Sequence, residues 1–283
     1  MRLLLTGANG FIGSFFQKMY GERYDIQTFS FLHDHFDVLD LYGVDVIVHL
    51  SALVHQPKAT QAMFFEANVK HTLSLAQKAK ESGAKHFIFM STIAVYDQSI
   101  VCLREDSLLG PSSLYGSSKL EAEQQLLMLE DEHFKISIVR PPMVYGYNAP
   151  GNIKSLMNLI DKIPLLPFGN INNKRSFIYV GNLCAMIDCI IQTQKRGIFL
   201  ASDDIPLSTT KLIELIANAK KQKVYLLNVK FLEGLLKWLK PSLYQRLFES
   251  LEIDNTKTKH FLNFKNPYNV HEGIEKMVRG ESL

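Results

Sequence analysis

The stretch Thr6-Gly7-Ala8-Asn9-Gly10-Phe11-Ile12-Gly13 joins a short apolar run, Arg2–Thr6, to a segment of helical pattern, Phe11–Tyr20. Its three glycines permit a tight turn and a close approach of the backbone to a pyrophosphate. The helix that follows offers free N–H groups and the positive end of its dipole. The spacing is G-x-x-G-x-x-G rather than the more common G-x-G-x-x-G, and glycines that only form a turn are the alternative. The position between strand and helix nevertheless predicts nucleotide binding.

Apolar runs and helical segments alternate through the first half of the chain. Runs rich in β-forming residues are found at Arg2–Thr6, Tyr24–Ser30, Asp45–Leu50, His86–Ser91 and Lys135–Arg140. Segments of helical pattern lie between them, at Phe11–Tyr20, Thr60–Ser82 and Ser113–Glu132. Nearly continuous apolar strands are typical of a parallel sheet covered on both faces. The alternation therefore predicts an α/β fold, a Rossmann-type doubly wound parallel sheet with right-handed crossovers.

The second half of the chain is less regular. Pro141 and Pro142 end the strand pattern, because neither can donate to a sheet ladder. Strands are expected at 177–180 and 197–201, and helices at about 152–162, 183–194, 208–221, 229–240, 243–251, 256–261 and 271–279. We expect residues 1–140, joined by about 175–201, to form the nucleotide-binding domain. Residues 141–174 and 202–283 would form a smaller C-terminal lobe.

Composition excludes several classes of protein. The 283 residues carry 31 basic and 28 acidic side chains, a net charge of +3 that is too balanced for nucleic acid as the main partner. Three cysteines without a CxxC pair argue against a disulfide framework and for a reducing, cytoplasmic location. Apolar runs reach neither the roughly 18 residues of a membrane span nor a signal-peptide core. His33-Asp34-His35 is interpreted as an ordinary polar loop, and no metal is expected.

Two further features bear chemistry. Tyr115 and Lys119 are four residues apart and share one helix face. A nearby ammonium favours the phenolate and lowers the pKa of a tyrosine from its usual value of about 10, which turns it into a usable base. Ser91 and Thr92 end the fourth apolar strand, where ligand sites of such sheets lie, and offer a hydroxyl for a substrate oxygen. Surface residues on an amphipathic helix and the start of a loop are the respective alternatives.

Glycine turn, strand-end hydroxyl and Tyr-x-x-x-Lys, in this order, resemble the extended branch of the short-chain dehydrogenase/reductase superfamily, which contains nucleotide-sugar epimerases, dehydratases and ketoreductases. The resemblance continues in His49-Leu50-Ser51-Ala52 ("HLAA"), Asn68-Val69 ("NV"), Glu105-Asp106 (an acidic pair), Arg140–Gly146 ("RPxxVYG") and Arg175–Val180 ("RDFxYV"). Leu251–Asp254, Arg140-Pro141-Pro142 and Pro167-Phe168-Gly169 resemble bacterial reductases and epimerases of UDP-N-acetyl-amino sugars most.

The resemblance implies a role for each matching residue. Tyr115 is the acid/base on the sugar hydroxyl, and Lys119 holds the nicotinamide ribose and lowers the pKa of Tyr115. Thr92, rather than Ser91, hydrogen-bonds the reacting oxygen. The remaining implied cofactor contacts are Gly7, Asn9, Gly10, Phe11, Ile12, Gly13, Ser30, Asp37, Val38, Leu50, Ser51, Ala52, Asn68, Pro141 and Val144. The implied substrate contacts are Thr92, Tyr115, Met143, Asn152, Leu166, Phe168 and Arg175, with the arginine on the diphosphate.

Departures from the family pattern shape the expected reaction. Ser30 stands where an acidic residue usually binds the adenosine ribose, so NADP becomes possible, yet no Arg or Lys follows closely; NAD or NADP stays open. Met143 replaces a substrate-binding asparagine of hexose 4-epimerases. These two positions favour a 4-ketoreductase of a UDP-4-keto-6-deoxy-N-acetylhexosamine over a 4-epimerase of a UDP-hexose or UDP-N-acetylhexosamine. Ile93-Ala94 after Thr92 argues against a 4,6-dehydratase, which commonly carries Asp-Glu there.

Three further expectations complete the prediction. A regulatory protein that senses NAD(P) is a remote alternative, because such proteins typically lose the Tyr/Lys pair. The helices Thr60–Ser82 and Ser113–Glu132 are the surfaces through which relatives pair, so a homodimer is expected. The apolar stripe Phe231–Leu239, flanked by Lys230, Lys237 and Lys240, is expected to pack as a lid or within the substrate lobe, with weak peripheral membrane contact as the alternative.

Overall fold

A computed structural model describes residues 1–54, 56 and 58–280, without the side chains of residues 230–232. The strands are β1 (Arg2–Thr6), β2 (Asp25–Phe29), β3 (Val46–His49), β4 (His86–Met90), β5 (Cys102–Leu103), β6 (Lys135–Arg140), β7 (Met143–Tyr145), β8 (Leu165–Leu166), β9 (Phe177–Tyr179), β10 (Gly197–Leu200), β11 (Tyr225–Leu226) and β12 (Glu252–Ile253). The helices are α1 (Phe11–Tyr20), α2 (Gln61–Phe65), α3 (His71–Glu81), α4 (Leu114–Leu127), α5 (Asn152–Lys162), α6 (Val180–Thr193), α7 (Thr209–Ala219), α8 (Lys230–Leu239), α9 (Pro241–Phe248), α10 (Thr256–Leu262) and α11 (Val270–Arg279).

The described residues build a six-stranded parallel sheet in the order β10-β6-β4-β3-β1-β2. Its central strands β3 and β4 are buried along their whole length, which explains their continuous apolar sequence. Separate hydrophobic clusters cover the two faces of the sheet, one including residues of α1, α6, α7 and α11 and the other residues of α3 and α4. The predicted α/β doubly wound fold is confirmed.

The sheet reverses its direction of growth next to β1. The chain passes from β1 to β2 on one side and then crosses back to place β3 on the other side of β1. The loops that leave the carboxyl ends of β1 and β3 therefore diverge and open a crevice, where open α/β sheets bind their ligands. The glycine turn leaves β1 at this point.

The second half returns to the sheet through its last strand. β10 pairs with β6, and α6, which precedes it, packs against α1. On this basis we propose the division expected from the sequence, with about 175–201 added to residues 1–140 and the rest forming the smaller lobe. Three short parallel strand pairs, β5–β12, β7–β9 and β8–β11, fasten that lobe.

Two local departures from the sequence prediction have physical reasons. The expected helix 60–82 is divided, because a π-helical turn at Glu66–Lys70 separates α2 from α3. The strand pattern also resumes directly after Pro142, since β7 pairs in parallel with β9 rather than with the central sheet. Strands of two or three residues are too short to show a periodicity, so sequence patterns do not reveal them.

A buried ion pair ties α4 to the sheet. Arg140 Nε and Nη2 at the end of β6 donate to the two carboxylate oxygens of Glu123 at 3.0 and 2.5 Å. Arg140 Nη1 also donates to Tyr96 Oη at 2.7 Å, and the tyrosine hydroxyl donates to the backbone carbonyl of Glu105. Both charged side chains are fully buried, so each charge depends on the other for its solvation.

Replacing Glu123 by Ala is expected to lower the free energy of unfolding by about 3–5 kcal/mol, because the buried Arg140 charge loses its partner. The matched control is Glu66→Ala, which removes an exposed pair with Lys70 and should cost far less, because water solvates both charges. Chemical denaturation measures both. The double variant Glu123→Leu/Arg140→Met should recover much of the loss, and equal costs for Glu123→Ala and Glu66→Ala would contradict the assignment.

Candidate active site

The glycine turn is pressed against the end of β3. Gly7 has a φ of +68°, and a Cβ there would lie 2.9 Å from the backbone of Leu50 and Ser51. A Cβ at Gly13 would lie 2.2 Å from the carbonyl oxygen of Gly7. Any other residue at either position must therefore displace backbone. The backbone between the crevice and α1 therefore has no side chain at Gly7 or Gly13, which allows a pyrophosphate to approach it closely.

The start of α1 is open for an anion. Gly10 is its N-cap and supplies no side-chain acceptor, so the first N–H groups of the helix are not capped by it. Asn9, Gly10 and Phe11 line a groove of about 470 Å³ together with residues of the loop after β7. The half-buried side chain of Ile12 packs against the hydrophobic core of this face of the sheet. The predicted glycine-turn residues thus lie together at the crevice.

A directed chain of hydrogen bonds runs beneath the turn. Ser51 N donates to Thr6 Oγ1 at 3.2 Å, and Thr6 Oγ1 contacts His49 Nδ1 at 2.7 Å. His49 Nε2 lies 2.9 Å from Thr72 Oγ1, which donates to the carbonyl of Asn68. The Thr72 hydroxyl donates to the carbonyl of Asn68, so it can only accept from His49. His49 therefore donates from Nε2 to Thr72 Oγ1 and accepts at Nδ1 from Thr6 Oγ1. Burial lowers the pKa of His49 to about 3, so the ring stays neutral in this chain.

Asn68 connects the loop after β3 to the helix that carries Tyr115. Its Oδ1 accepts from Leu53 N at 2.7 Å, and its Nδ2 donates to Leu53 O and to Ser118 Oγ, both at 3.0 Å. Ser118 Oγ in turn donates to the carbonyl of Tyr115. Asn68 is fully buried within the π-helical turn. It therefore positions the loop Leu50–Leu53, which includes the predicted cofactor residue Ala52.

Thr92 and Tyr115 meet through their side chains, which hydrogen-bond to each other. Thr92 lies just past the end of β4 and its Oγ1 also accepts from Ala94 N at 3.1 Å. Tyr115 lies in the first turn of α4, and a Cβ on its neighbour Gly116 would come 2.4 Å from Ala94 O. This tight contact holds the first turn of α4 against the strand end. The structure thus brings together the hydroxyl and the phenol that the sequence motifs predict.

Ser91 has a different environment from Thr92. It is buried, its backbone N–H donates to Val139 O, and its Oγ has no hydrogen-bond partner among the described residues. Of the two adjacent hydroxyls, it is that of Thr92 that bonds Tyr115. The geometry therefore agrees with the preference for Thr92 as the residue beside the reacting oxygen.

Burial dominates the electrostatics of Lys119 and Tyr115. Lys119 is 1% exposed, its Nζ lies 3.8 Å from the ring centroid of Phe89, and burial lowers its pKa to about 7 against the opposing charge of Glu123. Burial also raises the pKa of Tyr115 to about 12, opposed by the hydrogen bond with Thr92. This direction differs from the expectation that Lys119 lowers the pKa of Tyr115. An ammonium that is itself poorly solvated loses charge near neutral pH, and its effect on the phenol weakens.

The loop after β2 supplies a carboxylate that the sequence analysis missed. The backbone N–H of Ser30 donates to Asp34 Oδ2 at 2.8 Å, so the chain folds back and brings a carboxylate to the strand end where Ser30 itself has none. Asp37 and Val38 follow in an exposed 3₁₀ turn, and Lys78 Nζ is bound by the carbonyls of Phe36 and Asp37. Asp is a common turn residue because its side chain bonds nearby backbone groups, but the sequence does not show which N–H this one accepts from.

Two arginines line a cavity next to the Thr92–Tyr115 pair. The cavity of about 400 Å³ is bordered by Ile93 and Ala94, by Ser112 and by residues of α9. Arg175 Nη1 donates to the carbonyls of Gln245 and Glu249 at 3.0 and 3.1 Å. Arg246 enters the same cavity, and burial together with its charge lowers the pKa of Arg175. Arg246 was not predicted, because nothing local in the sequence links it to position 175.

The other predicted substrate and cofactor residues divide into two groups. Pro141 lies beside the strand end, because its carbonyl accepts from Ile93 N at 3.1 Å, and Met143 and Val144 continue from it in β7. Asn152 is exposed at the first residue of α5, Leu166 is buried in the main core and Phe168 is half-buried against it. The described lining of the arginine cavity includes none of these last three.

The part of the chain that the structure describes holds no cluster of three or more His, Cys, Asp or Glu suited to a metal ion. Its helices include none with the length and apolar character needed to cross a membrane.

The buried Lys119 should make the stability of the cofactor-free protein depend on pH. Its pKa is about 7 in the folded protein and about 10.4 when exposed, so the unfolded chain holds more protons between these values. The free energy of unfolding should therefore rise between pH 7 and pH 10, by at most about 5 kcal/mol from this residue. Denaturation of the wild type and of Lys119→Met across this range measures it. Parallel pH profiles for the two proteins would refute the assignment.

Comparisons with known proteins identify the family of this chain. A sequence model described as the NAD dependent epimerase/dehydratase family matches residues 3–200. The UDP-glucose 4-epimerase of Vibrio cholerae is 32% identical over 98% of this chain and 94% of its own length. The N-acetyl-alpha-D-glucosaminyl-diphospho-ditrans,octacis-undecaprenol 4-epimerase of Escherichia coli O157:H7 is 24% identical over 99% and 95%. The UDP-glucuronic acid 4-epimerase from Bacillus cereus, solved in complex with NAD, has a TM-score of 0.79 at 20% identity, covering 99% of this chain and 98% of that one.

The family match spans the central sheet, the glycine turn and the Thr92, Tyr115 and Lys119 side chains, and the Vibrio relative extends the likeness to nearly the whole chain. The resemblance to extended short-chain dehydrogenases/reductases is confirmed, and with it the expectation of an enzyme that works with a nicotinamide dinucleotide: this chain belongs to the NAD dependent epimerase/dehydratase family.

Proposed function

We propose that this protein is an NAD-dependent 4-epimerase of a UDP-linked hexose or N-acetylhexosamine. The observation that carries the proposal is the contact of Tyr115 with Thr92, whose next residues Ile93 and Ala94 form part of the wall of a cavity that holds two arginines. An acid/base pair beside a diphosphate-binding cavity fits the chemistry of a sugar nucleotide. The relative named UDP-glucose 4-epimerase, which matches over almost its full length, supports the same reaction.

This proposal revises the preference for a 4-ketoreductase that Met143 and Ser30 suggested. The curated relative with 32% identity is named as a 4-epimerase, and so is the solved structure from Bacillus cereus. Met143 lies in β7 and can alter one contact with the sugar, whereas Thr92, Tyr115 and Lys119 are all in place. A single changed substrate contact alters which sugar binds. It has less influence on whether the hydride returns to the opposite face of C4, which distinguishes an epimerase from a ketoreductase.

The crevice fits a nicotinamide dinucleotide. Both Gly7 and Gly13 lie so close to neighbouring backbone that a Cβ at either would collide with it, which leaves bare backbone where a pyrophosphate would bind. The uncapped N-terminus of α1 would complement its negative charge. Lys119 on α4 and Asn68 in the π-helical turn would hold the nicotinamide end. When bound in its oxidised form the cofactor supplies a hydride acceptor and a positive charge beside Tyr115.

Tyr115 moves the proton in this mechanism. Its pKa of about 12 keeps the phenol protonated at neutral pH in the free site, and positive charge placed beside it would favour the phenolate. As a phenolate it takes the proton of the sugar C4 hydroxyl; as a phenol it returns a proton to that oxygen. Thr92, already hydrogen-bonded to Tyr115, stabilises the charge that develops on the same oxygen.

The arginine cavity explains how one site can serve both faces of the sugar. Inversion at C4 requires that the sugar present each face to the same cofactor. An anchor on the diphosphate leaves the ring free to turn, whereas an anchor on the ring does not. Arg175 and Arg246 offer such an anchor, because their guanidinium forks suit phosphate oxygens.

Replacing Tyr115 by Phe is expected to lower kcat for the interconversion of the two C4 epimers of a UDP-hexose by about 10²- to 10⁴-fold. The phenol proton is lost while the ring remains, so NAD binding should persist. Product analysis by chromatography measures turnover, and Tyr42→Phe, at an exposed position, is the control. Unchanged turnover in Tyr115→Phe would overturn the acid/base role.

The same assay separates the two reactions. An epimerase converts the sugar without net change in nicotinamide absorbance and retains NAD through purification. Stoichiometric consumption of NADH or NADPH by a UDP-4-keto sugar, with no epimer formed from a UDP-hexose, would show a 4-ketoreductase instead.

The carboxylate of Asp34 favours NAD over NADP, because it repels a 2′-phosphate at the end of β2. Replacing Asp34 by Asn should reduce the preference for NAD by about fivefold, with less effect on NAD than on NADP. Calorimetric titration with each cofactor measures the two dissociation constants. The control is Asp25→Asn, at the exposed opposite end of β2; an equal change there, or none at Asp34, would contradict the assignment.

A further inference from the structure

The hairpin of α8 and α9 presents an uncovered apolar face. α8 packs against α9, and none of the described side chains of the two helices is buried. Leu235, Trp238 and Leu239 are 44%, 80% and 56% exposed, and their spacing places them on one face of α8. Leu243 at the start of α9 is also exposed. We call these four residues the hairpin face.

The stripe Phe231–Leu239 was expected to pack as a lid or within the substrate lobe. Leu235, Trp238 and Leu239 do not show such packing, because their side chains are exposed. Its remaining members, Lys230, Phe231 and Leu232, have side chains outside the description. Three large apolar side chains exposed on one face of a helix mark a docking site rather than a neutral surface.

The charge around the hairpin face identifies its partner. The two helices, residues 230–248, contain four basic side chains, Lys230, Lys237, Lys240 and Arg246, and one acidic one, Glu233, so the hairpin carries +3. The whole chain has 31 basic and 28 acidic side chains, which leaves 27 and 27 for the rest, or no net charge. An apolar face within a cationic segment complements an anionic lipid surface.

A second copy of the chain is a poorer occupant. Pairing across a two-fold axis sets the same surface against itself. Two hairpins of +3 would then face each other, at a cost that an anionic bilayer does not impose. Tryptophan also suits the bilayer interface, where its ring is buried and its N–H can reach water or a headgroup.

We propose that the hairpin face docks on an anionic membrane surface, with Leu235, Trp238, Leu239 and Leu243 entering the headgroup region and Lys237 and Lys240 contacting anionic headgroups. α9 continues from this face into the arginine cavity, where Ser242, Gln245 and Arg246 form part of the wall. Docking therefore brings the cavity close to the lipid surface.

The single tryptophan of the sequence, Trp238, reports on this surface in the unmodified protein. Vesicles of phosphatidylcholine with a quarter of phosphatidylglycerol should shift its emission to the blue, and brominated acyl chains should quench it. Pure phosphatidylcholine should give a much smaller effect. High salt should reverse binding in part, because the attraction between lysines and headgroups is screened.

Variants locate the binding energy. Leu235→Ser/Leu239→Ser and Lys237→Gln/Lys240→Gln should each reduce cosedimentation with the anionic vesicles by about tenfold or more. The matched controls, Leu32→Ser and Lys85→Gln/Lys257→Gln, remove exposed side chains of the same kinds elsewhere and should bind as the wild type does. Turnover of a water-soluble UDP-sugar should be unchanged in all of them, since none of these residues lines the arginine cavity as described.

Three results would overturn the proposal. The first is emission of Trp238 that does not respond to anionic vesicles. The second is a blue shift that grows with protein concentration without lipid, which would make a second copy the occupant. The third is equal binding by the control and hairpin-face variants. None of these results depends on which reaction the enzyme catalyses, so failure here is distinguishable from failure of the proposed epimerase activity.

Discussion

The buried ion pair of Glu123 and Arg140 is the constraint on which the active site depends. Arg140 ends β6, and Glu123 lies one helical turn beyond Lys119 on α4. The pair therefore fixes both the rotation of α4 and its position along the sheet, and these settings determine where Tyr115 meets Thr92. A hydrophobic contact at this place would tolerate small shifts of α4 along the sheet. Two charge-assisted hydrogen bonds do not, because they form in only one geometry. The carboxylate of Glu123 also opposes the loss of charge on Lys119.

Burial works against charge at this site. In the free protein it pushes the pKa of Lys119 down to about 7 and that of Tyr115 up to about 12, so both groups tend toward their neutral forms. Positive charge that enters the crevice would favour the phenolate of Tyr115 but would not restore the charge of Lys119, because like charges repel. His49 follows the same rule: it is neutral because burial lowers its pKa, and a neutral ring is what the directed chain from Ser51 to Asn68 requires. Thus the polar groups nearest the crevice are ordered before any ligand binds.

Sequence patterns predicted what local physics determines. The strands β1, β3, β4 and β6 stand out because they are buried on both faces, and α5 was predicted with its observed bounds. Thr92, Tyr115 and the glycine turn were found because strand end, helix face and turn each leave a local pattern. Arg246 and the fold of Asp34 onto Ser30 were missed, the first because it depends on a contact 71 residues away in sequence and the second because a turn decides it. The lowered pKa expected for Tyr115 beside Lys119 and an oxidised nicotinamide stays a prediction, whereas in the free protein burial raises this pKa to about 12.

The two halves of the site differ in how firmly they are held. Thr92, Tyr115 and Lys119 lie on elements fixed by the central sheet and the Glu123–Arg140 pair, whereas Arg246 lies on a helix without a buried side chain. Elements with few buried contacts are the least stable parts of a fold. Ordering of the α8–α9 hairpin then opposes diphosphate binding. A second contact that orders the hairpin beforehand raises the affinity for the diphosphate. An anionic surface that binds Trp238 and its neighbours would be such a contact. The chemistry at C4 would stay the same, while the affinity for the diphosphate would depend on where the enzyme is.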